Sequence, residues 1–265
     1  MQRTRPGGDL TAAFAAVRLR LGLVALLFAL AGLGWWWTAE RMRGMDDGAW
    51  TGLGTLGWFL GVWVVMTAAM MLPSVAPTIA LYARMTRRRS PLSPLLFTAG
   101  YLATWTGAGV LAFAVGVAVS RVPGDPLAWD RAGRPLAALT LLVAAGYELT
   151  PLKDVCLRRC RSPLGSLLAG WRDGWSGALR MGARNGAWCV GCCWALMASL
   201  FALGVMSVVW MAVVAGLIAV QKTVPGHRTA TYGTAAVLLA LGVLLFAAPE
   251  VVPAFTVPGA GTPAM

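Results

Sequence analysis

The feature that most constrains this chain is the recurrence of long uncharged apolar stretches along its whole length. Each approaches the ~20 residues that carry a helix across a bilayer. Because they recur, a single targeting segment on a soluble body does not explain them. Apolar residues make up 58% of the 265 residues and charged residues 12%, the latter about half the share found in ordinary soluble domains. That balance excludes an aqueous globule. The chain reads as all-α, a polytopic transmembrane helical bundle.

Seven spans are expected, at residues 19–38, 50–72, 92–120, 135–149, 186–203, 206–220 and 229–248, or six, because the fourth and sixth are short. One continuous helix over 186–220 would be about 50 Å long, too long for a hydrocarbon core of about 30 Å. A break near Gly204 is therefore expected. The bundle occupies 19–248, with a cytoplasmic tail at 1–18 and an external tail at 249–265.

A net charge of +12 would suit nucleic acid if the basic residues formed a patch on a soluble surface. They lie instead in the loops between apolar runs. With the N-terminus inside, most of the 22 basic residues fall on inner segments, including Arg84, Arg87, Arg88 and Arg89, then Lys153, Arg158, Arg159, Arg161, Arg172, Arg180 and Arg184. Outer loops hold Arg41, Arg43, Arg121, Arg131 and Arg134. This asymmetry predicts N-in and C-out in the inner (cytoplasmic) membrane. The bilayer is then the extended partner, and nucleic acid is not one. Trp35, Trp36 and Trp37 fall at the outer end of the first span, where amphipathic rings prefer to lie.

Ahead of the fifth span, Leu168, Trp171, Trp175 and Leu179 share one side at helical spacing while Arg180 and Arg184 lie off it, which predicts a helix lying in the inner interface. Gly57 and Gly61 have the spacing that permits close helix packing. Pro73 and Pro77 are expected to end a helix.

All five cysteines fall between 156 and 193, and an odd count argues against a complete disulfide set. On the cytoplasmic side thiols stay reduced. At 100° per residue Cys189, Cys192, Cys193 and Met197 span an arc of about 140°. Met66 and Met70 lie within about 40° of one another, with Met71 some 100° further round. The second span runs inward and the fifth outward, so thioethers and thiols meet at similar depth. Soft sulfur ligands favour Cu(I). The single histidine, His227, leaves little for an imidazole centre and is read as a loop residue. Zinc held by cysteine alone is the alternative ion. Packing alone would also account for the methionines. Cys156 and Cys160, at i and i+4 among basic residues, form a secondary metal or thiol group. Glu148, at the inner end of the fourth span, pairs with Lys153 or an arginine, or serves as an ion or proton site.

The run Ala69-Met70-Met71-Leu72-Pro73-Ser74, the segment from Tyr147 through Glu148 and Lys153 to Cys156 and Cys160, and above all Gly191-Cys192-Cys193-Trp194-Ala195-Leu196-Met197 resemble the predicted metal-binding integral membrane proteins. That is a family of domains of unknown function whose members are sometimes labelled copper chaperones. The resemblance covers roughly residues 58–226. It implies metal binding, with copper as the ion. Where the family pattern usually has an Asn after Gly-Val-Met and an acidic residue before the following Lys, this chain has Ser207 and Gln221.

The expected function is Cu(I) handling, as a chaperone or passive carrier, with a soluble or periplasmic metallochaperone as partner. Cys189, Cys192, Cys193 and Met197 form the core, Met66, Met70 and Met71 complete it, and Cys156 with Cys160 dock ions at the entrance. There is no phosphate-binding loop to supply an engine, and no enzymatic activity is expected. Two other readings are a thiol-disulfide oxidoreductase using Cys189 and Cys192, and a membrane scaffold without metal.

Overall fold

A computed structural model describes residues 55–86, 90–121, 133–203, 208–224 and 227–247, together with 29, 32–34, 36, 37 and 40. Both tails, most of the first expected span with Trp35, and the expected break at Gly204 lie outside the described residues. Among the described residues all regular structure is helical: α1 (Leu56–Thr86), α2 (Ser93–Ser120), α3 (Arg134–Glu148), α4 (Pro151–Arg161), α5 (Pro163–Leu168), α6 (Gly174–Leu203), α7 (Val208–Thr223) and α8 (His227–Ala247). Of these, α1, α2 and α8 are long and apolar enough to cross a membrane. The bent pair α3 and α4 adds a fourth crossing if the two form one broken span. The outward faces are apolar too, with Leu111 68% and Phe246 67% exposed. A helix apolar all round needs a non-aqueous neighbour.

The expected end of the second span at Pro73 does not occur, because α1 runs through Pro73 and Pro77 to Thr86. Proline removes a backbone donor, and Ser74 Oγ donates to the Met71 carbonyl at 2.8 Å beside it. The break falls instead after Glu148. Pro151 disfavours helical geometry at the residue before it, and Thr150 is extended, with φ −76° and ψ 147°. The Thr150 side chain then caps α4 by accepting from the Lys153 N–H at 3.3 Å. The chain turns by 67° between α3 and α4.

The expected interfacial helix before the fifth span is also corrected. Leu168 ends the short α5, Trp171 lies in the link, and Trp175 and Leu179 belong to the first turns of α6 itself. Gly174, at φ +83°, provides the left-handed residue at the start of α6 that a side chain would strain. The first half of α6 is held against α2 by backbone contact. A Cβ on Gly182 would lie 1.9 Å from the Phe97 carbonyl oxygen, and one on Gly100 would lie 2.1 Å from that of Leu179. Thr104 Oγ1 donates across the same seam to the Ala183 carbonyl at 3.1 Å. This close approach overrides the amphipathic signal that pointed to the membrane surface. Among the described residues nothing lies within 4 Å of where Cβ atoms on Gly57 and Gly61 would be.

Candidate metal centre

The second half of α6 forms the axis of the site. Cys189, Cys192 and Cys193 are all buried, and their sulfurs lie within 4.8 Å of one another, a grouping able to hold a metal ion. The helical period that placed them on one arc thus delivers them to one point. Cys192 Sγ is the hub, 3.3 Å from Cys193 Sγ and 3.6 Å from Cys160 Sγ. These separations are far beyond the ~2.05 Å of a disulfide, and all five thiols are free.

Four other helices converge here. From α4 comes Cys160, so this half of the secondary pair joins the main group. Cys156 does not reach it by the same face: its sulfur lies against Gly191, 2.9 Å from where a Cβ there would stand. From α1 comes Met71, while Met66 and Met70 of the same helix and Met197 of α6 are buried in the extended core that also holds the thiols. Met71, the methionine set apart by helical angle, has its Sδ 4.0 Å from Lys222 Nζ. That ammonium, carried by α7, also donates to Cys189 Sγ at 3.1 Å and to Ser74 Oγ at 3.2 Å. From α2, the Tyr101 hydroxyl donates to Cys189 Sγ at 3.0 Å.

A second layer fixes the α6 backbone behind the sulfurs. Lys153 Nζ donates to the Cys192 carbonyl at 2.5 Å and pairs with Glu148 Oε1 at 2.6 Å. Glu148 Oε2 accepts from Gln221 Nε2 at 2.9 Å, and the same amide donates to Thr234 Oγ1 at 3.1 Å. Arg161 donates to the Gln221 carbonyl at 2.6 Å. The Tyr147 hydroxyl donates to the Gly191 carbonyl at 2.5 Å, and its ring meets that of Trp194 edge-on at 4.8 Å. Glu148 is therefore the partner of Lys153. Gln221, which stands where the family pattern is acidic, supplies the amide that satisfies that carboxylate's second oxygen. Such outer contacts hold donor atoms in position.

Sequence reasoning missed Lys222, Tyr101 and Gln221 as parts of the site. The available signal for two of them was the pair Gln221-Lys222 inside the last turns of an otherwise apolar helix. Tyr101 had no local signature. His227, read as a loop residue, is the first residue of α8.

The fold and site define a class: a helical protein with membrane-compatible helices gathered around a buried all-sulfur centre. The chain belongs to the PpoB2 copper-chaperone family, whose model matches residues 60–245. That agrees with the resemblance carried by the Cys-Cys-Trp block and extends it into α8. No curated protein and no solved structure matches the chain.

Proposed function

We propose that this chain is an integral membrane protein that binds Cu(I) as cargo and passes it on through cysteine and methionine ligands, as a chaperone or passive carrier. The observation that carries this reading is the convergence of the Cys189, Cys192 and Cys193 sulfurs within 4.8 Å, all buried, with Cys160 adjoining them. A set of thiols is soft, thioethers are buried in the same core, and soft donors select Cu(I) over harder ions. Zn(II) on the same thiols is the competing occupant. Cys189, Cys192 and Cys193 serve as the primary ligands, with Met197, Met66, Met70 and Met71 as exchange partners and Cys160 as the point of arrival. Cys156 is secondary, and Glu148 is structural through Lys153.

In this reading the chain crosses the inner membrane seven times, N-terminus inside. The fourth crossing is α3, with α4 on the cytoplasmic side, and the second half of α6 and α7 form two further short crossings. Basic residues on α4 and at the start of α6 support the cytoplasmic placement of the site's mouth. The direction of transfer follows from the side on which a soluble metallochaperone docks.

Anaerobic titration of the reduced, detergent-purified protein with Cu(I) against a chromogenic Cu(I) chelator tests this. Saturation at one Cu(I) per chain, with competition against the chelator, is expected. A protein that takes up no Cu(I) but cycles a Cys189–Cys192 disulfide at a defined potential would establish the oxidoreductase reading instead.

A further inference from the structure

We infer that Lys222 sets the charge of the ion the centre accepts: its ammonium is a fixed positive charge built into the sulfur site, and it favours a monovalent over a divalent cargo. The inference rests on the metal-binding reading above and deepens it.

Two ammonium groups approach the thiol cluster, and they are treated differently. Lys153 is paired with the Glu148 carboxylate at 2.6 Å. Lys222 has no such partner, since among the described residues its polar neighbours are Cys189 Sγ, Ser74 Oγ and Met71 Sδ. Lys222 is half-buried, and the part of its charge drawn out of water without a counter-charge is costly. The group placed to balance Lys222 is the sulfur of Cys189, 3.1 Å away. Placement in the last turn of α7 adds the favourable field of that helix's free carbonyls.

An ion bound to Cys189 Sγ would stand about 4 Å from this nitrogen, given a metal–sulfur bond of about 2.3 Å. Coulomb repulsion grows with the charge of the ion, so Zn(II) meets twice the repulsion that Cu(I) does. At an effective dielectric of about 20 the extra repulsion corresponds to discrimination of several-hundred-fold. The thiols supply softness and the ammonium supplies charge selection. A site of thiols alone would hold zinc well; Lys222 adds a positive charge whose repulsion weighs twice as much on the divalent ion.

The test is to measure Cu(I) and Zn(II) affinities anaerobically, by chelator competition, for the full chain in detergent as wild type, Lys222→Leu and Lys222→Arg. Lys222→Leu, which removes the charge without adding a sulfur ligand, is expected to raise Zn(II) affinity relative to Cu(I) by about 100-fold or more, while Lys222→Arg, which keeps the charge, stays within about tenfold of wild type. An unchanged Zn(II)-to-Cu(I) ratio in Lys222→Leu overturns the inference, as does an equal shift in Lys222→Arg or a parallel loss of both affinities. If the wild type takes no Cu(I), the functional reading fails, but the Zn(II) measurement still decides this point. A rise in Zn(II) affinity in Lys222→Leu supports it, and no rise overturns it.

Discussion

Replacing Cys192 and Cys193 together by serine is expected to abolish high-affinity Cu(I) binding, lowering affinity by more than about 100-fold. The loss of an outer-layer partner alone typically costs 10–100-fold in metal affinity, and this variant removes primary donors. Cys192 Sγ is the hub that touches both Cys193 Sγ and Cys160 Sγ, and hydroxyl oxygens are hard donors that do not replace thiolates for a soft ion. Serine is close to cysteine in size and can donate to a carbonyl of the preceding turn, as Cys192 Sγ does to that of Cys189 at 3.2 Å, so the helix is expected to persist. Cys156→Ser provides the contrast: its sulfur lies on the Gly191 side of α6, and affinity is expected to stay near that of wild type. Chelator competition reads both variants. Equal losses in the two would mean that the cluster around Cys192 is not the site.

Lys153→Met is expected to destabilise the fold by about 3–5 kcal/mol, the usual cost of removing one partner of a buried ion pair. Lys153 and Glu148 are 1% and 2% exposed, and the ammonium also ties the Cys192 carbonyl of α6 to α3. Without it the partner that Glu148 keeps among the described residues is the Gln221 amide. Adding Glu148→Gln to Lys153→Met removes the orphaned charge and is expected to recover much of the loss. Unfolding by denaturing detergent measures the cycle. Full stability in Lys153→Met alone would show that the pair does not hold α3, α4 and α6 together.

The helical class, the apolar stretches of α1, α2 and α8 and the shared face of Cys189, Cys192 and Cys193 were legible because each depends on the composition or periodicity of a single helix. What joins that face depends on which faces of different helices meet, and no local pattern encodes it. Met71 lies beside Lys222 although its helical angle set it apart from Met66 and Met70. Cys160 reaches Cys192, whereas Cys156, one turn earlier on the same helix, meets Gly191. The proline reading failed at Pro73 and Pro77, where α1 continues through both, and the chain turned instead at Thr150-Pro151. The surface-helix reading of 168–179 failed because Gly100 and Gly182 bring two backbones into contact, a long-range gain that outweighs the amphipathic spacing of Trp175 and Leu179. Gln221 was visible only as a departure from the family pattern, and it is the tertiary arrangement that turns it and Lys222 towards Glu148 and Cys189.

The central claim is that the buried sulfurs of α6, with their neighbours from α4 and α1, grip a single soft ion. X-ray absorption at the copper edge, on wild-type protein loaded anaerobically with one Cu(I) per chain, tests it most directly. The expected spectrum is that of Cu(I) in a shell of two or three sulfur scatterers. A shell of nitrogen and oxygen would contradict the account, and so would a sulfur shell unaltered in the Cys192→Ser, Cys193→Ser variant.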